Sequence, residues 1–226
     1  MNMVDCEKTV IVLILLCSIL TVRMRKYMVD HGTFICLEGL DGCGKTTQAK
    51  LLVRRLRMKY EAVYTAEPSR GQIGKFIKKH YLHASTRGST VVEALLFAAD
   101  RVEHLKNEVG PALEKGEIVV SDRYVFSSLA YQGAAGIDLK WIENVNKHAF
   151  RPDLALFIDV DPKSVVSRLK KKKSVMENLE TQLKVHQVYC KYVETGALIR
   201  IDGNKPKKEV AEAVWQAVSD HLRGTR

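Results

Sequence analysis

The sequence predicts an α/β fold, a parallel five-stranded sheet with helices on both faces, and three observations predict it. From His31 onward, short β-branched or apolar runs alternate with longer amphipathic segments, the pattern of repeated β-α-β units. The runs are nearly continuous in apolar character, as strands covered on both faces must be. The first run leads straight into a glycine-rich loop, Gly39-Leu40-Asp41-Gly42-Cys43-Gly44-Lys45-Thr46, and then into a stretch of helix-forming residues.

In chain order, the first 28 residues stand apart. Thr9 to Val22 is a 14-residue apolar run, short of the roughly 18 to 20 residues a membrane-spanning helix needs. Asp5 and Glu7 precede it where a secretory signal carries positive charge, and no small-residue cleavage site follows. Arg23, Arg25 and Lys26 on its far side would leave the bulk of the chain cytoplasmic even if it inserted. Residues 1–28 therefore read as an apolar extension outside the fold, with membrane contact by residues 9–22 as the lesser alternative, and residues 29–226 as the folded domain. Strands are expected at Thr33 to Leu37, Glu61 to Thr65, Glu117 to Ser121, Leu154 to Asp159 and Leu198 to Ile201. Helices are expected at Lys45 to Met58, Val91 to Asn107, Leu139 to Ala149, Pro162 to Lys171, Val175 to Glu194 and Lys207 to Leu222, several opening with Pro, Ser or Asp.

Composition agrees with one globular domain of 226 residues: 46% hydrophobic and 27% charged is ordinary for a folded globular protein and excludes fibrous and low-complexity readings. The five cysteines are scattered without a C-x-x-C pair, so neither a disulfide framework nor a zinc site is indicated and a reducing cytoplasm fits. The net charge of +10 suits nucleic acid or phosphorylated small molecules equally.

The loop after the first strand decides between them. It matches G-x-x-x-x-G-K-[ST] in its strand-loop-helix context, which makes the fold one of the P-loop nucleoside triphosphatase type. Backbone N–H groups from Gly39 to Thr47 would cradle phosphates, aided by the helix N-terminus. Lys45 would reach the β- and γ-phosphates and Thr46 would ligate Mg²⁺, so ATP or GTP with Mg²⁺ is implied. A guanine-reading N-K-x-D motif is missing: the two Asn-Lys pairs continue as Asn146-Lys-His-Ala and Asn204-Lys-Pro-Lys. A signalling GTPase is thereby disfavoured.

Just beyond the third strand, Asp122-Arg-Tyr-Val-Phe-Ser-Ser-Leu-Ala-Tyr131-Gln132 is similar to the D-R-Y/H-x-x-S-x-x-A-Y-Q segment of thymidylate kinases, and the chain from His31 to Arg226 resembles that family. The resemblance implies transfer of the γ-phosphate of ATP to dTMP. It assigns Arg123 to the acceptor phosphate, which a guanidinium fork matches bidentately, and Asp122 to Mg²⁺ through water. It lays Ser128, Tyr131 and Gln132 against the thymidine. In Leu96-Phe-Ala-Ala-Asp-Arg101, Phe97 and Arg101 are four apart on one helix face and resemble the pair that stacks on and reads thymine. Thr65-Ala-Glu67-Pro68 resembles the family's T-R-E-P loop with alanine in place of its arginine, and Arg70, two residues after the proline, is assigned the second phosphate contact. Asp41 matches the acid that bonds the sugar 3′-hydroxyl. Arg168, Lys170 and Lys172 fall where lid cations occur, near residues 168–178, and Arg168 is counted among the catalytic residues with Lys45, Asp122 and Arg123.

Because phosphoryl transfer onto a phosphate that is already anionic relies on alignment and charge neutralisation, no general base is nominated and the seven histidines read as surface or packing residues. The family implies a homodimer. No nucleic-acid partner is expected. Two other readings compete: another nucleotide or nucleoside kinase of the same architecture, and a non-catalytic basic protein binding nucleic acid or membrane.

Overall fold

Apolar runs too short for a helix become the strands. These are β1 (Thr33–Glu38), β2 (Ala62–Ala66), β3 (Ile118–Asp122), β4 (Leu154–Asp159) and β5 (Ile199–Asp202), in the order β2-β3-β1-β4-β5. Every neighbouring pair is parallel, and the expected strand boundaries hold to one residue. The computed structural model describes residues 32–82, 88–168 and 178–224, with Arg168 placed by its backbone alone. The expected extension at residues 1–28 and the expected lid cations Lys170, Lys172 and the side chain of Arg168 lie outside the described residues.

The helices are α1 (Lys45–Leu56), α2 (Gln72–His80), α3 (Thr90–His104), α4 (Gly110–Glu114), α5 (Val125–Ala134), α6 (Leu139–Val145), α7 (Pro162–Arg168), α8 (Leu179–Glu194) and α9 (Lys207–Gly224). Ser89, Asp138 and Asn178 cap α3, α6 and α8, each accepting a bond from a first-turn N–H, the role for which short polar side chains are favoured. Three helices, α2, α4 and α5, lie outside the expected ones, and α4 is a single short turn. α2 is short, and α5 buries Ser128, Leu129, Ala130, Tyr131 and Gln132 in succession, so no amphipathic period marks it. The expected helix over Val91 to Asn107 ends as α3 plus a π-helical turn at Leu105–Val109. Pro111, which follows it, has no N–H to continue the α-helical ladder.

Alternation along β1 sends Ile35 and Leu37 to one face and Phe34, Cys36 and Glu38 to the other. The first face, with Val120, Leu154 and Leu156 in register, lies under α1, while α9 packs on α1, β4 and β5. On the second, Tyr124 meets Phe34 edge-on at 4.8 Å and Tyr189 of α8 stacks on Phe157 at 4.8 Å. Both faces are therefore covered, as the continuous apolar runs require. Register aligns the carboxyl ends: Leu37 and Ala66 both pair with Asp122, and Glu38 pairs with Phe157. The segments leaving β1, β2 and β3 thus emerge along one edge, where ligands of such sheets bind.

Candidate active site

The loop leaving β1 turns through Gly39, Gly42 and Gly44, all at positive φ. Gly39 is the tightest: a Cβ there would lie 2.7 Å from the Ile158 carbonyl oxygen and 2.8 Å from Cys43 Sγ, so only glycine lets the loop pass this close to β4. Gly44 directs the chain into α1, whose first backbone bond runs from Gln48 N to Gly44 O at 3.1 Å. Lys45 is 5% exposed, and its Nζ donates to the Leu40 carbonyl at 2.6 Å and lies 3.7 Å from Cys43 Sγ. The ammonium is thereby folded over the loop it serves. Cys43 is buried filler beneath it. Thr47 is exposed on the first turn of α1.

From the end of β3, Asp122 reaches the same loop. Its Oδ2 accepts a bond from Thr46 Oγ1 and a longer one, 3.4 Å, from the Tyr64 hydroxyl. Burial, and then the Asp122 charge, push the Tyr64 phenol up to about 12. Among the described residues no group of three or more His, Cys, Asp or Glu side chains is arranged to hold a metal. One carboxylate and one hydroxyl are nevertheless the set that fits Mg²⁺, which takes few protein oxygens and fills its shell with phosphate and water.

Arg123 follows Asp122 in the left-handed region, φ 75°, a conformation costing about 1–2 kcal/mol for a residue with a Cβ. It is held there by Arg123 N donating to Leu37 O at 3.0 Å and by Ser121 Oγ donating to the Arg123 carbonyl at 2.7 Å. The side chain consequently turns back over the loop. Nη1 donates to Ser127 Oγ at 2.8 Å, and Nη2 to Asp41 Oδ1 at 2.5 Å and the Tyr131 hydroxyl at 3.4 Å. Tyr131 also donates to Asp41 Oδ2 at 2.9 Å and accepts from Asp41 N at 3.1 Å. Burial alone would raise the Asp41 carboxyl; the Arg123 and Lys45 charges and these hydrogen bonds outweigh it and hold it below the usual carboxylate range.

Around the 65–70 loop a second network forms. Arg101, 2% exposed, donates to Glu67 Oε2 at 2.6 Å, Ser128 Oγ at 3.1 Å and the side-chain Oδ1 of Asn146, and lies over the Tyr124 ring. His104 joins Glu67 Oε1 at 3.2 Å and Thr65 Oγ1 at 2.6 Å, a packing role beside the site. Asp100 accepts from Ser69 N and Ser69 Oγ at 2.8 and 2.6 Å, fixing the turn after the buried Pro68. Gln132 donates to Glu93 at 3.0 Å. Phe97 is half-buried one turn before Arg101, and Arg70 is exposed, its charge reaching Tyr64 and Lys78.

A cavity of about 270 Å³ is lined by Asp41, Gly42, Gly44, Lys45, Thr46, Glu67, Asp122 and Arg123. It brings the phosphate loop and the arginine of the Asp122–Gln132 segment into one chamber. Tyr131 bonds to the lining residues Asp41 and Arg123, and Ser128 reaches Glu67 through Arg101, whereas Arg70, Phe97 and Gln132 do not line the cavity. The sequence reading omits Glu38, Asp100, His104, Ser127 and Asn146. Ser127 stands at the serine of the D-R-Y/H-x-x-S-x-x-A-Y-Q pattern and Asn146 in the failed guanine motif, whereas Glu38, Asp100 and His104 are marked only as polar side chains at buried positions.

A sequence profile described as thymidylate kinase matches residues 37–214. The chain belongs to the thymidylate kinase family. Among its relatives, a protein named "Probable thymidylate kinase" from Pyrococcus horikoshii is 47% identical over 76% of this chain and 87% of its own length. Proteins of the same name from Pyrococcus abyssi and Pyrobaculum calidifontis are 42% and 41% identical, over 86% and 85% of this chain and 99% of their own lengths. The family's activity is that of a nucleoside monophosphate kinase, with ATP as donor and dTMP as acceptor, and the five-stranded P-loop architecture described above is its scaffold. Among the described residues no helix is long and apolar enough to cross a membrane.

Proposed function

We propose that the chamber beside Lys45 holds the triphosphate of ATP and the monophosphate of dTMP end to end. One observation carries the reading: Lys45 and Arg123, from different strands' ends, line the same 270 Å³ cavity with Asp41 between them. Lys45 and the N–H groups from Gly39 to Thr47 hold the transferring end of ATP, and Arg123, assisted by Arg70, holds the acceptor phosphate. Thr46 and, through water, Asp122 hold Mg²⁺, which supplies charge neutralisation between the β- and γ-phosphates. Asp41 and Tyr131 receive the sugar, with Glu67 and Pro68 closing the wall beside it. Phe97, Arg101, Ser128 and Gln132 receive the base. Arg168, Lys170 and Lys172 complete the charge over the transferred group. Residues 29–226 carry this chemistry in the cytoplasm, where both nucleotides are dissolved.

The test is a coupled assay offering ATP with Mg²⁺ and each nucleoside monophosphate in turn. dTMP is expected to be turned over best. Arg101→Lys keeps a charge for Glu67 but loses the fork, and should lower kcat/KM for dTMP by about tenfold or more, the value of one or two charged hydrogen bonds. Comparable turnover of purine monophosphates by the unaltered protein would remove the base-reading assignment.

The reading includes a homodimer through α3. Val91, Leu95 and Val102 are 45, 45 and 49% exposed, and their spacing of four and seven places them in one stripe. Sedimentation at micromolar concentration should give twice the 25.5 kDa chain mass, and Leu95→Glu should halve it. A monomeric parent protein would refute the dimer.

A further inference from the structure

We infer that the buried carboxylate of Glu38, acting through the Ser127 hydroxyl, is the positioning group that sets the pose of Arg123 toward the acceptor phosphate. The inference rests on the assignment of Arg123 made above. Glu38 ends β1 on the sheet face opposite Leu37, fully buried. Burying a carboxylate there costs several kcal/mol unless donors surround it, and four do. Tyr124 N lies 2.8 Å and Ser127 N 3.2 Å from Oε1; Ser127 Oγ lies 2.6 Å and the Tyr189 hydroxyl 3.0 Å from Oε2. Burial pushes the Glu38 carboxyl up, while Ser127, Arg123, Tyr124 and Tyr189 pull it back. All four partners are donors, so the site is shaped for the ionised form.

The consequence falls on Ser127. A hydroxyl has one proton, and at 2.6 Å that proton is committed to Glu38. The oxygen therefore turns a lone pair toward Arg123 Nη1, 2.8 Å away. Gly39 O, at 3.4 Å from the same Nη1, shares this edge. The guanidinium thus has a held edge, Nη1, against Ser127 and Gly39. Its working edge, Nη2, faces Asp41, which lines the cavity. Tyr189, from α8, closes the arrangement with its hydroxyl 3.1 Å from Ser127 Oγ. With glutamine at position 38, one amide N–H₂ would donate where the carboxylate accepts. Either Ser127 or Tyr189 would then have to reverse its proton, and Arg123 would lose its oriented acceptor.

The test uses the full-length Glu38→Gln, Ser127→Ala and Ser127→Thr variants, reading KM for dTMP and for ATP, binding of dTMP and of unphosphorylated thymidine, and thermal unfolding. Glu38→Gln and Ser127→Ala should each raise KM for dTMP about tenfold, with KM for ATP and thymidine binding within about twofold. Ser127→Thr, which retains the hydroxyl, should stay within about threefold of the parent. In an Arg123→Ala background, Ser127→Ala should add nothing, because a group that works through another has no effect once that other is gone. Equal weakening of dTMP and thymidine binding, or lowered thermal stability with both KM values unmoved, would show a purely structural role and overturn the inference. Should Glu38→Gln fail to fold, the Ser127 pair decides alone. If Arg123→Ala leaves KM for dTMP unchanged, the assignment of Arg123 falls and the inference with it. If Arg123→Ala raises it and Ser127→Ala does not, the inference alone falls.

Discussion

Replacing Lys45 by alanine is expected to lower kcat by about 10²- to 10³-fold, the loss seen when one preorganised electrostatic group facing developing charge is removed. The effect should fall on kcat more than on KM for ATP. The backbone N–H groups of the loop and the N-terminus of α1 remain to bind the triphosphate, whereas a cation held beside the charge that develops acts mainly in the transition state. The fold should survive. Lys45 is buried but makes its hydrogen bond to the Leu40 carbonyl within the same loop, so its loss leaves one acceptor short by about 1 kcal/mol. ADP release followed at saturating dTMP measures the change. Turnover within about threefold of the parent protein would place the phosphate site elsewhere.

Arg123→Ala should cost about 10²- to 10³-fold in kcat/KM for dTMP, because a bidentate charged contact to phosphate is worth about 1.5–3 kcal/mol per charged bond and also aligns the acceptor. KM for ATP should move by no more than a few fold, since the phosphate loop is built from the other strand end. The same substitution has a second readout. Arg123 holds the Asp41 carboxyl low, and a carboxyl depressed in the fold contributes stability that is present above its unfolded pKa and lost as pH falls through its folded one. The parent should therefore exceed Arg123→Ala in stability at neutral pH, and that gap should narrow as pH falls below about 4. An equal gap at all pH values would show that Arg123 does not act on Asp41.

Much of the fold was legible because its signals are local. Strand positions follow from short apolar runs, and the phosphate loop from four spaced residues, Gly39, Gly44, Lys45 and Thr46, whose glycines and lysine have one chemical use together. The Asp122–Gln132 segment was legible by resemblance, yet its helix was not, since α5 is buried on too many sides to show a period. The polar networks were invisible for a different reason. Arg101 meets Asn146 across 45 positions, Glu38 meets Ser127 across 89 and Tyr189 across 151. Asn146 read only as half of a failed guanine motif, and Glu38 as the polar end of a strand.

By itself the sequence determined the α/β class and the phosphate-loop motif, and by resemblance it nominated Arg123 for the acceptor phosphate, because each is carried by contiguous residues whose chemistry does not depend on distant partners. Only the tertiary structure decided how Arg123 is held, that Arg101 is clamped by Glu67, Ser128 and Asn146, and that Lys45 and Arg123 share one cavity. Those facts depend on sheet register and on which side chains are desolvated together. A hydrogen bond is stronger where water has been excluded, and no stretch of chain excludes water alone.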